Sequence, residues 1–210
     1  IYVLVKEVID NSIDEFIMGH GSRIDISIEN GTVEINDHGR GIPLGKVLEC
    51  ASIINTGGKY NDDVFQFSVG LNGVGIKAVN ALSEHFIVRS CREGKYVEYE
   101  FIRGQQSQHR KGQTKSPNGT SVRFIPDREI FGDISFNHEF LEQRFYNYAY
   151  LNTGLTLRFN GQKIFSENGL RDLLANEVGD EPLYPILHHR STQLEFSLTH
   201  TDNYGETHFS

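Results

Sequence analysis

The sequence predicts an α+β fold, a two-layer sandwich of helices on a mixed, largely antiparallel sheet. Three observations carry that expectation. Short stretches alternate apolar and polar residues and are joined by Asn-Gly or Glu-Gly pairs, the signature of β-hairpins. Other stretches place their apolar residues at helical spacing. Helices and hairpins are interspersed, without the single-strand, single-helix alternation of parallel α/β proteins.

Composition sets the outer limits. The 210 residues suffice for one large domain, or for one domain and a piece of a second. A hydrophobic fraction of 38% with 14 Phe supplies a core. A net charge of −8 excludes a surface that grips a phosphate backbone along its whole length. Cys50 and Cys91 lack metal-ligand spacing and read as free buried thiols, which points to a reducing cytoplasm. No apolar run approaches a membrane span and no signal peptide opens the chain. The first residues already read as mid-helix, so a truncated or disordered start is expected.

In the opening helix, Val5, Ile9, Ile13, Phe16 and Ile17 gather on one side at about 100° per residue. Glu7, Asn11 and Asp14, at i, i+4 and i+7, share the opposite face, with Asp10 at its edge and no Lys or Arg among them. Such a stripe is either an acidic solvated face or the lining of a site whose missing positive charge arrives as a metal ion.

A hairpin follows, with Ile24, Ile26 and Ile28 facing Val33 and Ile35 across Asn30-Gly31. Alternation puts Asp37 on the inward face with Val33 and Ile35. A carboxylate there needs donors. It either caps the glycine-rich bend after it or accepts a ligand's amino group. Gly39 and Gly41 in "GRGIP" let the backbone approach a ligand closely. Residues 44–55 read as a short helix ended by "NTGGK", and 60–69 as a loop. "GLNGVGIKAVNALS" reads as a glycine-rich turn entering a helix with Val79 and Leu82 inward.

A second hairpin turns at Glu93-Gly94, residues 103–119 read as a polar loop, and "TSVRFIP" as a further strand. "HEFLEQRFYNYAYLN" is an aromatic-rich helix, "LTLRFNGQKIFSE" a hairpin with an Asn160-Gly161 turn, and "GLRDLLANEV" a short helix. The composition turns loop-like near 182–185, and "LEFSLTHT" starts new strand material. A domain boundary is expected within 178–190. His188 and His189 read as surface neighbours, not a metal site.

Two familiar readings of the glycine-rich segment fail. A P-loop would need Lys-Ser/Thr where Ile76 and Lys77 stand. The dinucleotide pattern is met literally by Gly73, Gly75 and Ala78, but the βαβ unit and the later acidic residue are missing. What both motifs share remains: exposed backbone N–H groups before a helix, which favour phosphate, or else a purely structural turn.

Taken in order, "EVIDNSIDE", "DxGRGIP", "NTGGK", "VGLNGVGIKAVNALS", "NGT" and "YLNxG" resemble the ATPase region of bacterial type IIA DNA topoisomerases, the B subunits of gyrase and topoisomerase IV. The resemblance covers about residues 1–175. Asn72 departs from the histidine common in gyrase B, and Val69 from a glycine. "YVLVKEVIDNSIDEF" and "SVGLNGVG" look closer to the topoisomerase IV proteins.

The resemblance implies the GHKL (Bergerat) type of sandwich, with an ATP-binding domain over 1–185 and the start of a transducer domain over 186–210. It implies ATP and Mg²⁺ as ligands, with Asn11 giving its side-chain oxygen to the metal. Glu7 would activate the water that attacks the γ-phosphate. Asp10 would support the same shell, and Asp14 would lie among the nucleotide contacts. Asp37 would accept the adenine amino group, helped by Thr120, and Arg40, Gly41, Ile42 and Pro43 would wall the base. Arg92 would stand at the mouth, where aminocoumarin inhibitors contact their targets. Gly70, Leu71, Asn72, Gly73, Val74 and Gly75 would give phosphate-facing amides, and Lys59 a further phosphate contact.

In the intact protein the implied partners are DNA, a topoisomerase A-type subunit and a second copy closed by ATP. The arm before the first helix and the transducer lysine are expected to lie outside these residues. The chain alone is therefore expected to be a monomer and a weak ATPase. Two other readings are a histidine kinase catalytic domain and an ATP switch without hydrolysis.

Overall fold

The computed structural model describes residues 1–52 and 74–203. Helix α1 (Tyr2–Ile17) lays Leu4, Val5, Val8, Ile9 and Ile13 into the core, each at most 3% exposed. Ile17 closes the helix and is 40% exposed, so the apolar arc stops one residue short of the expected one. The hairpin of β1 (Arg23–Glu29) and β2 (Thr32–Asp37) has the expected register, with Ile26 opposite Ile35 and Ile28 opposite Val33. Its turn residues Asn30 and Gly31 take φ of 51° and 81°, the left-handed region that this pair tolerates best.

A 3-10 turn (Leu44–Lys46) leads into α2 (Val47–Ser52), and α3 (Gly75–Ala81) buries Val79 completely. Strands β3 (Ser83–Arg92) and β4 (Lys95–Ile102) form the second hairpin. The expected polar loop over 103–119 is in large part a strand. Residues Gln105–Gln113 form β5, exposed along its full length and paired to β4 as a sheet edge. This edge strand buries no side chains, so its sequence lacks the apolar alternation that marks the others. β6 (Gly119–Pro126) follows, then the short α4 (Arg128–Phe131) and the aromatic helix α5 (His138–Leu151). The Asn160-Gly161 hairpin joins β7 (Thr156–Phe159) to β8 (Gln162–Phe165), and α6 (Leu170–Val178) comes next.

The eight strands form one sheet in the order β5-β4-β3-β6-β2-β1-β7-β8. Only β1 and β7 run parallel; every other pair is antiparallel. One face carries the core, where Ile35, Phe86, Val88 and Phe124 meet the helices. The other face is polar and pairs its own charges across strands: Arg123 with Glu34 at 2.6 Å, Arg110 with Glu98 at 3.0 Å. β9 (Leu187–Arg190) and β10 (Glu195–Leu198) make a separate two-stranded sheet beside α6. There His188 bonds Glu195 at 3.0 Å and His189 lies against the Phe196 ring, in keeping with a surface reading of the two histidines. Cys91 is buried and Cys50 half-buried. No helix among the described residues is long and apolar enough to cross a membrane.

Candidate functional site

The polar stripe of α1 is not a solvated face. Glu7 and Asn11 are half-buried, while Asp10 and Asp14 are only 3% and 2% exposed. Glu7 meets the start of α3: a Cβ built on Gly75 would stand 2.1 Å from its Oε2, so the carboxylate occupies space that only glycine leaves. One turn on, Asn11 donates from Nδ2 to the Glu7 carbonyl oxygen at 2.7 Å. That bond fixes the amide so that Oδ1 faces away from it as an acceptor, the donor set a hard cation takes.

Two expectations for this stripe need correction. The stripe is not free of basic partners, because Lys6 pairs with Asp10 one turn later. Asp10 also accepts from the Tyr148 hydroxyl at 3.1 Å, which ties α1 to α5. Burial, together with the charge of Asp10, raises the Tyr148 pKa strongly. Asp14 was expected among the nucleotide contacts, but it is buried and engaged within the fold, so its place is behind the site.

The other end of α1 meets the glycine-rich bend. Glu15, on the same face as Glu7 and Asn11, takes the backbone N–H, Nε and a terminal nitrogen of Arg40 at 3.1, 3.1 and 2.9 Å. Its pKa is lowered: burial raises it, and the hydrogen bonds and charge of Arg40 more than offset that. Sequence reasoning missed Glu15, although its spacing of eight from Glu7 gave the signal.

Asp37 lies just before this bend. Its Oδ1 accepts from the Gly39 and Thr120 amides, both at 2.9 Å, so the turn-capping role is real. Neither of those bonds uses Oδ2. Burial pushes the Asp37 pKa up, against the lowering effect of the Thr120 and Gly39 amides. The strand end is tightly nested, since a Cβ on Gly119 would sit 2.3 Å from the Asp37 carbonyl oxygen. Gly41 has φ of 77° and a Cβ there would meet the Cys91 carbonyl at 2.6 Å, so only glycine fits. Arg92 donates to the Gly41 carbonyl at 3.3 Å, and Ile42 packs on the core while Pro43 is exposed.

Val74 and Gly75 stand at the entrance of α3, with Val74 37% exposed. Lys59, Gly70, Leu71, Asn72 and Gly73 lie outside the described residues. Glu7 and Glu15 are about 12 Å apart along the helix axis at ~1.5 Å per residue. The stripe thus runs from the Gly75 end to the Asp37 end, a span suited to an elongated ligand with a base and a phosphate chain.

A cavity of about 350 Å³ is lined in part by Asp37 and Thr120. Its lining also includes Asp25, Asn36, Arg89 and Ser121, which neighbour one another across the strands on the polar face. No cluster of three or more His, Cys, Asp or Glu suited to a metal occurs among the described residues. The Asn11 oxygen beside the Glu7 carboxylate fits instead a cation held mainly by its ligand and by water.

The helix-on-sheet architecture is that of the gyrase B ATPase domain. A crystal structure of the 43K ATPase domain of Thermus thermophilus gyrase B in complex with an aminocoumarin superimposes with a TM-score of 0.73 at 29% identity, over 96% of this chain and 57% of that one. The family model for the histidine kinase-, DNA gyrase B-, and HSP90-like ATPase matches residues 1–130, and the chain belongs to that family. It is 57% identical to the B subunit of DNA topoisomerase 4 from Borreliella burgdorferi over its whole length, covering 35% of that protein. With the B subunit of DNA gyrase from Helicobacter pylori it shares 34% identity over 99% of the chain and 30% of the relative. The chain thus spans about a third of the length of these curated relatives.

Proposed function

We propose that this chain binds ATP with magnesium and hydrolyses it, as the ATPase part of a type II DNA topoisomerase of the gyrase B and topoisomerase IV kind. The topoisomerase IV branch is favoured over gyrase by the 57% against 34% identity. The observation that carries the reading is the pairing of a half-buried Glu7 carboxylate at Gly75 with the outward Oδ1 of Asn11, one turn apart on α1.

In this reading Asp37 accepts the adenine amino group through the oxygen that the Gly39 and Thr120 amides leave available. Arg40, Gly41, Ile42 and Pro43 wall the base, Thr120 borders it and Arg92 guards the mouth. Val74 and Gly75 turn backbone amides towards the phosphates, as would Gly70, Leu71, Asn72 and Gly73, with Lys59 a further phosphate contact. Glu7 orients the attacking water and takes its proton. Asn11 supplies the protein ligand to magnesium, which when bound neutralises charge on the phosphate oxygens.

Residues 1–185 make up the nucleotide domain and 186–210 begin the next, transducer domain. In the longer protein, which we place in the cytoplasm, ATP would close two copies on a DNA segment, next to an A-type subunit. The present chain alone stays monomeric. The aminocoumarin bound by the Thermus relative supports a competitive inhibitor site near Arg92.

Calorimetric titration with magnesium and a non-hydrolysable ATP analogue tests this. Wild type binds, and Asp37→Asn binds about tenfold or more weakly, since a charge-assisted hydrogen bond is worth roughly 1.5–3 kcal/mol. Asn11→Ala loses the magnesium dependence. No binding by the wild-type chain would refute the proposal.

A further inference from the structure

Strand β3 alternates strictly on its core side, with Phe86, Val88 and Ser90 all completely buried. The third of these positions should hold an apolar residue, yet it holds a hydroxyl. A buried hydroxyl costs stability unless it is used. Ser90 uses it on the nucleotide side: Oγ donates to the Ile42 carbonyl at 2.6 Å. Two residues on, Arg92 donates to the neighbouring Gly41 carbonyl at 3.3 Å. Two successive carbonyls of the glycine-rich bend are therefore held by two successive side chains on one face of β3. Gly41 allows this approach, because a Cβ there would lie 2.9 Å from the Ser90 oxygen. Ser90 also stands directly opposite Thr120, whose amide holds Asp37. It thus touches both parts of the base subsite, the wall and the strand that carries the acceptor.

We propose that Ser90 is a positioning residue for the base subsite, fixing the Gly41–Pro43 wall at the distance that grips a planar base placed on Asp37. This rests on the nucleotide-binding reading above. Ser90 does not touch the phosphates, and its effect falls on affinity for the base and not on the chemical step.

The test uses Ser90→Ala and Ser90→Thr, with thermal unfolding measured beside calorimetric titration of the magnesium–ATP analogue. Removal of one neutral hydrogen bond predicts about fivefold weaker binding for Ser90→Ala. Ser90→Thr keeps the donor and should bind within about twofold of wild type. Should Ser90→Ala not fold, Ser90→Cys takes its place, with similar shape, a weak donor and the same expected loss. Wild-type affinity in the alanine variant, whatever its unfolding temperature, overturns the role of Ser90 and leaves the ATP site standing. So does equal weakening in a folded threonine variant. A wild-type chain that binds no analogue overturns the nucleotide reading instead.

Discussion

The Glu15 carboxylate receives three hydrogen bonds from Arg40, one from its backbone and two from its guanidinium. A single side chain of α1 therefore sets the bend that precedes the Gly41–Pro43 wall. Glu15→Gln should weaken binding of an ATP analogue severalfold and lower stability by about 1 kcal/mol, a modest value because the Arg40 side chain is 46% exposed. The Glu15 pKa is lowered from 4.5, so its stabilising contribution is fully present above pH 4.5 and is lost as pH falls through the lower folded value. Denaturant melts of wild type and variant should be separated at neutral pH and converge in acid. A constant separation down to strongly acidic pH would exclude this linkage.

In the proposed mechanism Glu7 acts on water and does not hold the nucleotide. Glu7→Gln should cut ATP turnover by about 100-fold or more and leave analogue affinity within about threefold of wild type. Phosphate release and calorimetry on the same preparation separate the two. Turnover unchanged by the substitution would remove Glu7 from the mechanism.

Gly75→Ala probes the same contact from the other side. The new methyl would arrive 2.1 Å from the Glu7 oxygen, and the carboxylate is the more flexible partner, so it should swing away. Stability should hold or rise, because alanine favours a helix by roughly 1 kcal/mol over glycine. Turnover should fall as in the Glu7 variant. A stable variant with full turnover would show that the carboxylate's position does not matter.

Asp37 gives a pH signature. Its pKa is raised from 3.8 by burial, so the carboxylate takes up a proton at higher pH than an ordinary aspartate. Ionising it costs more in the fold than in the unfolded chain, so its contribution destabilises above the folded pKa and is relieved as pH falls below it. Binding runs the other way, because only the ionised form leaves both oxygens as acceptors, Oδ1 for the two amides and Oδ2 for the amino group. Analogue affinity should weaken as pH falls, starting above 3.8. The Asp37→Asn variant should show a flat profile over the same range.

Tyr148 anchors α5 to α1 through its bond to Asp10. Tyr148→Phe should cost about 1 kcal/mol in a chemical melt, the value of one buried hydrogen bond to a charged group offset by the remaining Lys6 pair. Analogue binding should be unchanged, since the lost bond lies between the two helices. A large drop in affinity at unchanged stability would contradict that assignment.

The hairpins were legible because their turns demand unusual backbone angles. Asn30-Gly31, Glu93-Gly94 and Asn160-Gly161 all take positive φ at both residues. Arg103-Gly104 does the same, at 49° and 76°, and was not legible. Arginine does not announce a turn, and the strand after it has no buried side to pattern. The parallel contact of β1 with β7 joins residues 23–26 to 156–159, and no local feature records it. In the site, periodicity fixes the faces that carry Glu7, Asn11 and Asp37, and the resemblance is what assigns them to a nucleotide site. Glu15 shares that helical spacing, but its partner Arg40 and the Ile42 carbonyl that Ser90 holds lie in a bend whose path only tertiary packing defines.

Helix α1 carries Glu7, the proposed base, near its start and Glu15, which holds Arg40, near its end, on one unbroken rod. A rod of hydrogen-bonded turns neither stretches nor shortens, so it works as a ruler: a molecule too short to reach from Asp37 to Glu7 engages one end only. Any substitution under Ile9 that tilts the rod should disturb recognition and chemistry together, however far it lies from either.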